Sequence, residues 1–421
     1  MNPAAPIFAA ALLAVSTVAA AQQTPEQLAN AALDAAPVFD GHNDAPMQLR
    51  ERAGNVINGF DFEDTTDTGA EHPGGSVMHT DLARLRRGKV GAQYWSVYVP
   101  ASLAEPAAVQ ATLEQIDVTR RLVARYPNEL QVALTADDVE AAIKRGRIAS
   151  LMGMEGGHSI GSSLAVLRQM YAVGARYMTL THSKNTPWAD SATDAPAHDG
   201  LTDFGRDVVR EMNRIGMQVD LSHVSEATMH DVLDVAKAPV IFSHSGARAI
   251  NGHARNVPDS VLKRLPQNGG VVMVVGLPGF LSEELRQWNA RRDAERARLA
   301  TLWLGQPDTV ATALKEWEGA NPAPQATISD MADHIDHVRK LAGIDHIGIG
   351  GDYDGMPSGP VGMEDVSGYP ALFAELARRG YRRQDLEKIA LRNALRALRG
   401  AEAFAASQRG LPPIESPAKG I

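Results

Sequence analysis

A short motif near the start of the chain carries two side chains that can bind a metal ion. The apolar run Pro37-Val38-Phe39 leads into Asp40-Gly41-His42-Asn43-Asp44. If the run is a β-strand, residues two apart share a face, so His42 and Asp44 point the same way. Imidazole and carboxylate groups are common zinc ligands. A buried, hydrogen-bonded His–Asp pair is the alternative, and a metal site needs further ligands from elsewhere in the chain.

Short apolar runs alternate with helix-like segments along most of the chain, and these elements must position the ligands. Helices are predicted over 108–126, 162–172, 203–215, 225–235 and 329–341. The eight predicted strands are Pro37–Gly41, Val90–Val99, Ile148–Met154, Ala175–Thr181, Met217–Ser222, Pro239–Ser243, Gly270–Val275 and His346–Gly350. Eight alternating units predict an α/β fold, a single (β/α)8 TIM barrel, and about 400 residues suit one barrel with insertions.

A doubly wound open sheet is the competing α/β architecture. It is disfavoured because the strand-to-helix turns carry neither of the glycine-rich phosphate-binding signatures. One long insertion, residues 281–325, separates the last two predicted strands and is rich in Arg, Glu and Ala. We predict that it is helical. A solvated excursion and a lid or subunit contact both remain open for its role.

Histidine or an acidic residue follows six of the eight predicted strands. In a TIM barrel the carboxyl ends of the strands meet at one mouth, where active sites lie. Each residue alone has a structural alternative: a salt bridge for the glutamate, and hydrogen-bonded core positions for the histidines. Their shared placement favours a metal centre instead. The residues are His42, Asp44, Glu155, His182, His223, His244 and Asp352.

The predicted ligands are too numerous for one tetrahedral ion. Two metal ions can share a bridging carboxylate and a bridging hydroxide, which makes Glu155 the natural bridge. His42 and Asp44 then complete the first metal site, and His223 with His244 completes the second. The chain has no cysteine, so thiolate ligands and disulfides are excluded. Histidine with carboxylate favours two zinc ions per chain, although manganese or cobalt could substitute.

Four segments together resemble one known family. They are Phe39-Asp40-Gly41-His42-Asn43-Asp44, Met154-Glu155-Gly156-Gly157-His158-Ser159-Ile160, Thr179-Leu180-Thr181-His182-Ser183 with Asn185-Thr186-Pro187-Trp188-Ala189-Asp190, and Gly350-Gly351-Asp352-Tyr353-Asp354-Gly355. In order and spacing they resemble the membrane (renal-type) dipeptidases, metallopeptidase family M19. The resemblance spans nearly the whole mature chain. It implies a zinc-dependent dipeptidase on a TIM barrel, with the same five metal ligands.

The resemblance also implies the roles of three further residues. His182 and Arg255 would hold the substrate, and Asp352 would act beside the metal-bound water. These side chains suit such roles, because an arginine fork binds a carboxylate, a histidine can donate to an oxyanion, and an aspartate can carry a proton. The catalytic set is therefore Asp352, Glu155 and His182, and the substrate-binding set is His182, Arg255 and Asp352. The attacking group would be the metal-bridging hydroxide.

Two other functions stay open beside the dipeptidase. Another binuclear-metal barrel amidohydrolase, acting on N-acyl amino acids or lactams, usually has His-x-His on strand one and a lysine on strand four, which this chain lacks. A non-catalytic binding protein on the same barrel would be missing a ligand. The chain departs from the mammalian members at Lys184, in its lack of cysteine and over residues 274–280. The preferred dipeptide, including acceptance of a D-residue at the C-terminal position, is therefore open.

Composition and termini set the expected surroundings of the protein. The 421 residues are 44% hydrophobic with a net charge of −9, and charges are interspersed, which disfavours nucleic acid as a partner. Residues 1–21 read as a signal peptide ending in Ala19-Ala20-Ala21, which leaves 22–421 as the barrel domain. Residues 410–421 lack a hydrophobic tail. We expect an exported, periplasmic or secreted protein without stable membrane insertion, acting on small dipeptides, with a homodimer left open.

Overall fold

The computed structural model describes residue 1 and residues 23–71 and 75–415. Residues 2–21 of the predicted signal peptide lie outside this part of the chain. Within the described residues, nine strands form one sheet in which all strand pairs are parallel. The strands are β1 (Val38–Asn43), β2 (Val90–Ser96), β3 (Leu130–Val132), β4 (Ile148–Glu155), β5 (Ala175–Thr179), β6 (Gln218–Asp220), β7 (Ile241–Phe242), β8 (Val271–Val275) and β9 (Ile347–Gly350).

Eight of these strands close into a barrel. The order around it is β2, β1, β9, β8, β7, β6, β5 and β4, and β4 pairs back to β2. The predicted (β/α)8 TIM barrel is confirmed, and all eight predicted strands are barrel strands. The additional strand β3 pairs with the first residues of β4. The sequence does not reveal β3, because three residues, of which only Leu130 is fully buried, are too few for a strand pattern.

Helices follow the strands and cover the outside of the barrel. The α-helices are α1 (Pro25–Ala35), α2 (Ala45–Ala53), α3 (Leu82–Arg87), α4 (Glu105–Arg125), α5 (Ala136–Lys144), α6 (Leu164–Ala172), α7 (Asp203–Ile215), α8 (Glu226–Val235), α9 (Asp259–Leu262), α10 (Leu265–Asn268), α11 (Pro278–Leu281), α12 (Glu283–Leu302), α13 (Pro307–Ala320), α14 (Ile328–Ala342), α15 (Tyr369–Arg378), α16 (Arg383–Glu387) and α17 (Asn393–Ser407). A π-helical turn, Lys388–Arg392, joins the last two.

Local sequence explains where these helices begin and end, as α7 shows. The Thr202 hydroxyl accepts a hydrogen bond from the Gly205 amide at 3.2 Å, which caps the first turn. Gly216 ends the helix with a left-handed φ of 88°. Between these ends, Val208, Val209 and Met212 are buried, so an apolar stripe holds the helix against the barrel.

Strands β6 and β7 end earlier than the sequence predicts, and the cause is one buried carboxylate. The backbone amides of Ser222 and Ser243 donate to Oδ1 of Asp220, at 3.1 and 2.8 Å. Ser222 and Ser243 were predicted to be the last residues of their strands. Their amides donate to the Asp220 side chain and not to a backbone carbonyl of the neighbouring strand. The chain leaves the sheet here, just before His223 and His244.

Aromatic side chains fill the barrel beneath its mouth. The rings of Tyr94 on β2 and Tyr177 on β5 lie 4.9 Å apart, although β4 separates the two strands in the sheet. Such a contact is made across the interior. Gly153 on β4 leaves the necessary space, because a Cβ atom there would lie 2.0 Å from the Tyr177 ring. The Tyr177 hydroxyl reaches Nδ1 of His42 at 2.7 Å, which joins the core to the predicted site.

The predicted helical insertion between the seventh and eighth barrel strands, β8 and β9, is confirmed. Helices α12 and α13 pack on each other, with the rings of Trp288 and Trp317 at 5.9 Å. The Trp288 indole donates to the carbonyl of Asn321 at 2.8 Å. At its base, Oε2 of Glu283 accepts a hydrogen bond from the Gly252 amide at 3.0 Å. The insertion is thus tied to the loop that carries Arg255.

Candidate active site

The predicted site residues surround one cavity of about 210 Å³ at the carboxyl ends of the strands. Seven of the eight line it directly, and His42 is buried at its edge. The structure therefore brings together side chains that are separated by more than 300 residues in sequence. The seven lining residues are Asp44, Glu155, His182, His223, His244, Arg255 and Asp352.

Glu155, the last residue of β4, is the centre of the cluster. Its Oε1 atom lies 2.9 Å from Nε2 of His223, 3.4 Å from Nε2 of His244 and 3.6 Å from Nε2 of His182. Its Oε2 atom lies 3.5 Å from Nε2 of His42. One carboxylate thus faces four imidazoles, with each of its oxygens directed at a different part of the cluster.

Several polar atoms of the cluster lack ordinary partners, which fits a cation site. Nε2 of His42 and Oδ1 of Asp44 are buried without a hydrogen-bond partner among the described residues. The Nε2 atoms of His223 and His244 lie only 3.0 Å apart. Leaving buried polar atoms unpaired costs roughly 1–3 kcal/mol each. A bound cation would satisfy these atoms together, so the residues fit a metal.

Three groups of side chains place their ligand atoms within 4.8 Å of one another. The groups overlap, because Glu155 and His42 each belong to two of them. They are His42 with Glu155 and His244, Glu155 with His182 and His223, and His42 with Asp44 and Asp352. The distribution of individual ligands between two ions stays a prediction.

The electrostatics of the cluster favour neutral histidines on one side and positive charge on the other. Burial, with nearby positive groups, lowers the pKa of His223 and of His244 well below the ordinary value. Burial opposes a charge on His42 as well, but Tyr177, Asp44 and Glu155 together raise its pKa well above the usual range. The Asp44 side therefore attracts a cation.

A basic and an acidic residue, Arg255 and Asp352, lie beside the cluster. Arg255 is 3% exposed, and its guanidinium donates only long hydrogen bonds, at 3.4 Å, to Ser245 Oγ and the His244 carbonyl. Burial lowers the pKa of Arg255 to about 10. Burial, reinforced by the Asp44 and Glu155 carboxylates, raises the pKa of Asp352 to about 8. Arg255 thus has donors to spare for an anionic group in the cavity.

His182 follows β5 and lines the cavity next to His223. Its ring lies 4.2 Å from the His223 ring and 4.9 Å from the Tyr98 ring. Its side chain is 18% exposed, more than those of the buried ligands. Burial lowers the pKa of His182, so the ring is neutral and can donate one hydrogen bond into the cavity.

The sequence did not point to the apolar wall of the cavity or to the glycine beside its acids. Met47, Tyr98, Leu277 and Phe280 line the wall, and ordinary core residues share these types. Gly355 is required because a Cβ atom there would lie 2.2 Å from Oδ2 of Asp44. Its position in the glycine-rich acidic run was the available signal.

A TIM barrel whose mouth carries buried histidines around a shared carboxylate defines a metal-dependent hydrolase. Residues 26–410 match the family model described as membrane dipeptidase, peptidase family M19. The chain therefore belongs to the membrane dipeptidase family, M19, and is a metallo-dipeptidase. Within the described residues, none of the helices has both the length and the apolar character needed to cross a membrane.

Curated relatives and solved structures agree with this assignment. Dipeptidase tcpJ of Claviceps purpurea is 42% identical over 384 residues, covering 89% of this chain and 79% of that protein. Dipeptidase 3 of Rattus norvegicus is 41% identical over 384 residues, covering 90% of this chain and 68% of that protein. The probable dipeptidase PvdM from Pseudomonas aeruginosa superposes with a TM-score of 0.76 at 25% identity, over 90% of this chain and 99% of that one.

A second solved structure shares the fold. It is a metallo peptidase from Rhodobacter sphaeroides liganded with a phosphinate mimic of the dipeptide L-Ala-D-Ala. Its TM-score is 0.70 at 24% identity, and the match covers 87% of this chain and 99% of that chain.

Proposed function

We propose that this protein is a dipeptidase with two zinc ions held at the barrel mouth. His42 and Asp44 would hold one ion, His223 and His244 would hold the other, and Glu155 would contribute a ligand to both. The observation that carries the proposal is the position of Glu155, with its two oxygens directed at histidines on both sides of the cluster. A carboxylate surrounded in this way is a natural bridge between two cations.

The bound ions would supply Lewis acidity and a water molecule whose pKa is lowered from 15.7 towards 7. The chain's own groups complete the reaction. Arg255 binds the free carboxylate of the dipeptide, because its buried guanidinium has donors to spare. His182 donates to the oxygen of the scissile carbonyl as negative charge develops there. With cations bound beside it, Asp352 would be ionised, and it would accept a proton from the attacking water and pass it to the departing amine.

Cavity size supports a dipeptide as the substrate. The volume of about 210 Å³ lies below the range of roughly 300–1,000 Å³ that is usual for ligand pockets. Arg255 is one of its lining residues, so a substrate bound through its terminal carboxylate has little space for a third residue. We include dipeptides with a D-residue at the C-terminal position, as in the ligand mimicked in the Rhodobacter sphaeroides structure.

The test is turnover on a panel of L,L and L,D dipeptides, N-blocked dipeptides and tripeptides. Each is assayed before chelation, after chelation and after zinc is returned. We expect free dipeptides to be cleaved fastest, loss of activity on chelation and recovery with zinc. Equal rates on blocked or longer peptides would contradict the dipeptidase specificity, and activity indifferent to chelation would contradict the metal mechanism.

Export is part of the same proposal. Residues 6–21 are small and apolar and end in Ala19-Ala20-Ala21, the pattern that signal peptidases cleave. N-terminal sequencing of the protein recovered from its native host should then begin near Gln22. A mature protein that retains Met1 would contradict export by this route.

A further inference from the structure

We propose that Asp220 and Ser243 are positioning residues that fix the tautomer of His244, so that its Nε2 atom presents a lone pair to the metal site. The inference rests on the proposed function in one respect, the assignment of His244 as a metal ligand. Neither residue lines the cavity, and both are fully buried behind it. Their effect on the site is therefore transmitted through His244.

The Asp220 carboxylate is saturated with hydrogen-bond donors. Oδ1 accepts from the backbone amides of Ser222 and Ser243. Oδ2 accepts from the hydroxyl of Thr179 at 2.5 Å and from that of Ser243 at 2.6 Å. An ionised carboxylate has no proton of its own, so each of these four hydrogen bonds is donated by the other group. Both hydroxyl protons must therefore point at Asp220.

The direction of the next hydrogen bond follows from this. Ser243 Oγ lies 2.8 Å from Nδ1 of His244. A serine hydroxyl has one proton, and the contact with Asp220 uses it. Ser243 can then only accept from His244, so Nδ1 carries the imidazole proton and Nε2 carries the lone pair. Nε2 is the atom that lies 3.4 Å from Glu155 Oε1.

This arrangement is what a metal-ligating histidine needs. The partner of the nitrogen that does not bind the ion sets the ring orientation and the tautomer, and losing it typically lowers metal affinity about 10- to 100-fold. Here the partner is a serine whose own direction is set by a carboxylate on the neighbouring strand. The same carboxylate ends strands β6 and β7, so one side chain shapes the backbone at the site and orients one ligand.

Asp220→Asn should reverse the chain of hydrogen bonds. The two backbone amides require an oxygen, which places the new NH2 group against Ser243. The Ser243 hydroxyl then accepts a hydrogen bond from this NH2 group and gives its own proton to Nδ1 of His244, leaving a proton on Nε2. An Asp→Asn change imposes the wrong histidine tautomer in the serine-protease triad by the same logic.

The test measures zinc release from the zinc-loaded full chain to a chromophoric chelator. Ser243→Ala should release one zinc about 10- to 100-fold faster, and Asp220→Asn faster still. Thr179→Val is the matched control, because it removes the other hydroxyl from the same Asp220 oxygen without touching His244, and its release rate should stay within about twofold of wild type.

The double variant Asp220→Asn with Ser243→Ala separates orientation from structural damage. Without the serine hydroxyl, the asparagine cannot deliver a proton to His244, so the double variant should release zinc no faster than Ser243→Ala alone. Release at least as fast as in Asp220→Asn would mean that Asp220 acts only on the fold, and would overturn the proposal. If Asp220→Asn fails to fold, the comparison of Ser243→Ala with Thr179→Val decides, and equal rates overturn it.

A readout without metal tests the tautomer itself. NMR of the metal-free, 15N-histidine-labelled chain should show His244 with its proton on Nδ1, the signal being assigned by its loss in His244→Gln. A proton on Nε2 in the wild type would overturn the proposal. If the wild type binds no zinc at all, the proposed function fails, whereas the tautomer measurement still stands or falls on its own.

Discussion

The Nε2 atoms of His223 and His244 lie 3.0 Å apart, and both rings are almost completely shielded from solvent. Burial holds both imidazoles neutral, since it lowers their pKa values. Two lone pairs at this distance repel each other unless a proton or a cation lies near them. With Glu155 Oε1 at 2.9 Å from one ring and 3.4 Å from the other, the three atoms form a site that a cation completes.

Replacing the bridging carboxylate tests the two-metal arrangement. Glu155→Gln keeps the size of the side chain but removes its charge, so we expect fewer than two zinc ions per chain. Loss of a residue that only supports a metal ligand lowers metal affinity or activity about 10- to 100-fold. Glu155 is itself a proposed ligand, so kcat/KM should fall by more than about 100-fold. Glu284→Gln, on the exposed surface of α12, is the control and should keep both properties. Full metal content and full turnover in Glu155→Gln would refute the bridging role.

Arg255→Met tests recognition of the substrate carboxylate. A charge-assisted hydrogen bond contributes about 1.5–3 kcal/mol, so kcat/KM for a free dipeptide should fall at least about 10-fold. The same dipeptide with a C-terminal amide should already be poor for the wild type and should lose little more in the variant. A similar fall for acid and amide substrates would show that Arg255 supports the structure and does not bind the carboxylate.

Gly355→Ala tests the close approach of the chain to the acidic ligands. The new Cβ would lie 2.2 Å from Oδ2 of Asp44 and 3.0 Å from Oδ1 of Asp352, so at least one carboxylate must move. We expect zinc affinity, measured by chelator competition, to fall about 10- to 100-fold. Gly319→Ala is the matched control, because open space surrounds that glycine in α13 and alanine favours the helix by up to ~1 kcal/mol. Unchanged affinity in Gly355→Ala would contradict the packing.

The pH dependence of stability tests the loop that holds Arg255. Burial, with the positive charges of Arg255 and Arg286, lowers the pKa of His253 to about 4. Between pH 6.5 and 4 the unfolded state then binds more protons than the folded state, so the free energy of unfolding must fall as the pH is lowered through this window. The stability that neutral His253 contributes is fully lost below about pH 4, where the residue is protonated in both states.

His253→Asn isolates that contribution. Nδ1 of His253 accepts a hydrogen bond from the Arg255 amide at 3.1 Å, and an asparagine oxygen can take its place without titrating. Denaturant unfolding of both chains, each without metal, should therefore show a shallower decline between pH 6.5 and 4 for the variant. Parallel curves would mean that His253 does not couple protonation to folding.

The fold was predictable because its elements repeat. Most barrel strands lie in short runs rich in apolar residues, and their alternation with helices is regular enough to predict the architecture without knowledge of any contact. The ends of the strands were harder to predict. The early ends of β6 and β7 depend on Asp220 accepting from two amides 2 and 23 residues away, and a contact between distant positions leaves no local signal.

The candidate site was predictable in part for a related reason. Strand ends converge in a barrel, so the positions of Glu155, His223 and His244 sufficed to bring them together. Phe280 and Met47 could not be chosen from other apolar residues, because their place in the cavity wall depends on loop packing. The signal for Ser243 was hidden as well, since its role follows from hydrogen-bond directions that only three-dimensional contacts define.

The most direct test of the central claim is an anomalous difference map at the zinc absorption edge, from a crystal of the zinc-loaded protein. The account predicts two peaks about 3.5–4 Å apart, with Glu155 contacting both. One peak should have His42 and Asp44 as its other protein ligands, and the second should have His223 and His244. A single peak, or two peaks that do not share Glu155, would contradict the account.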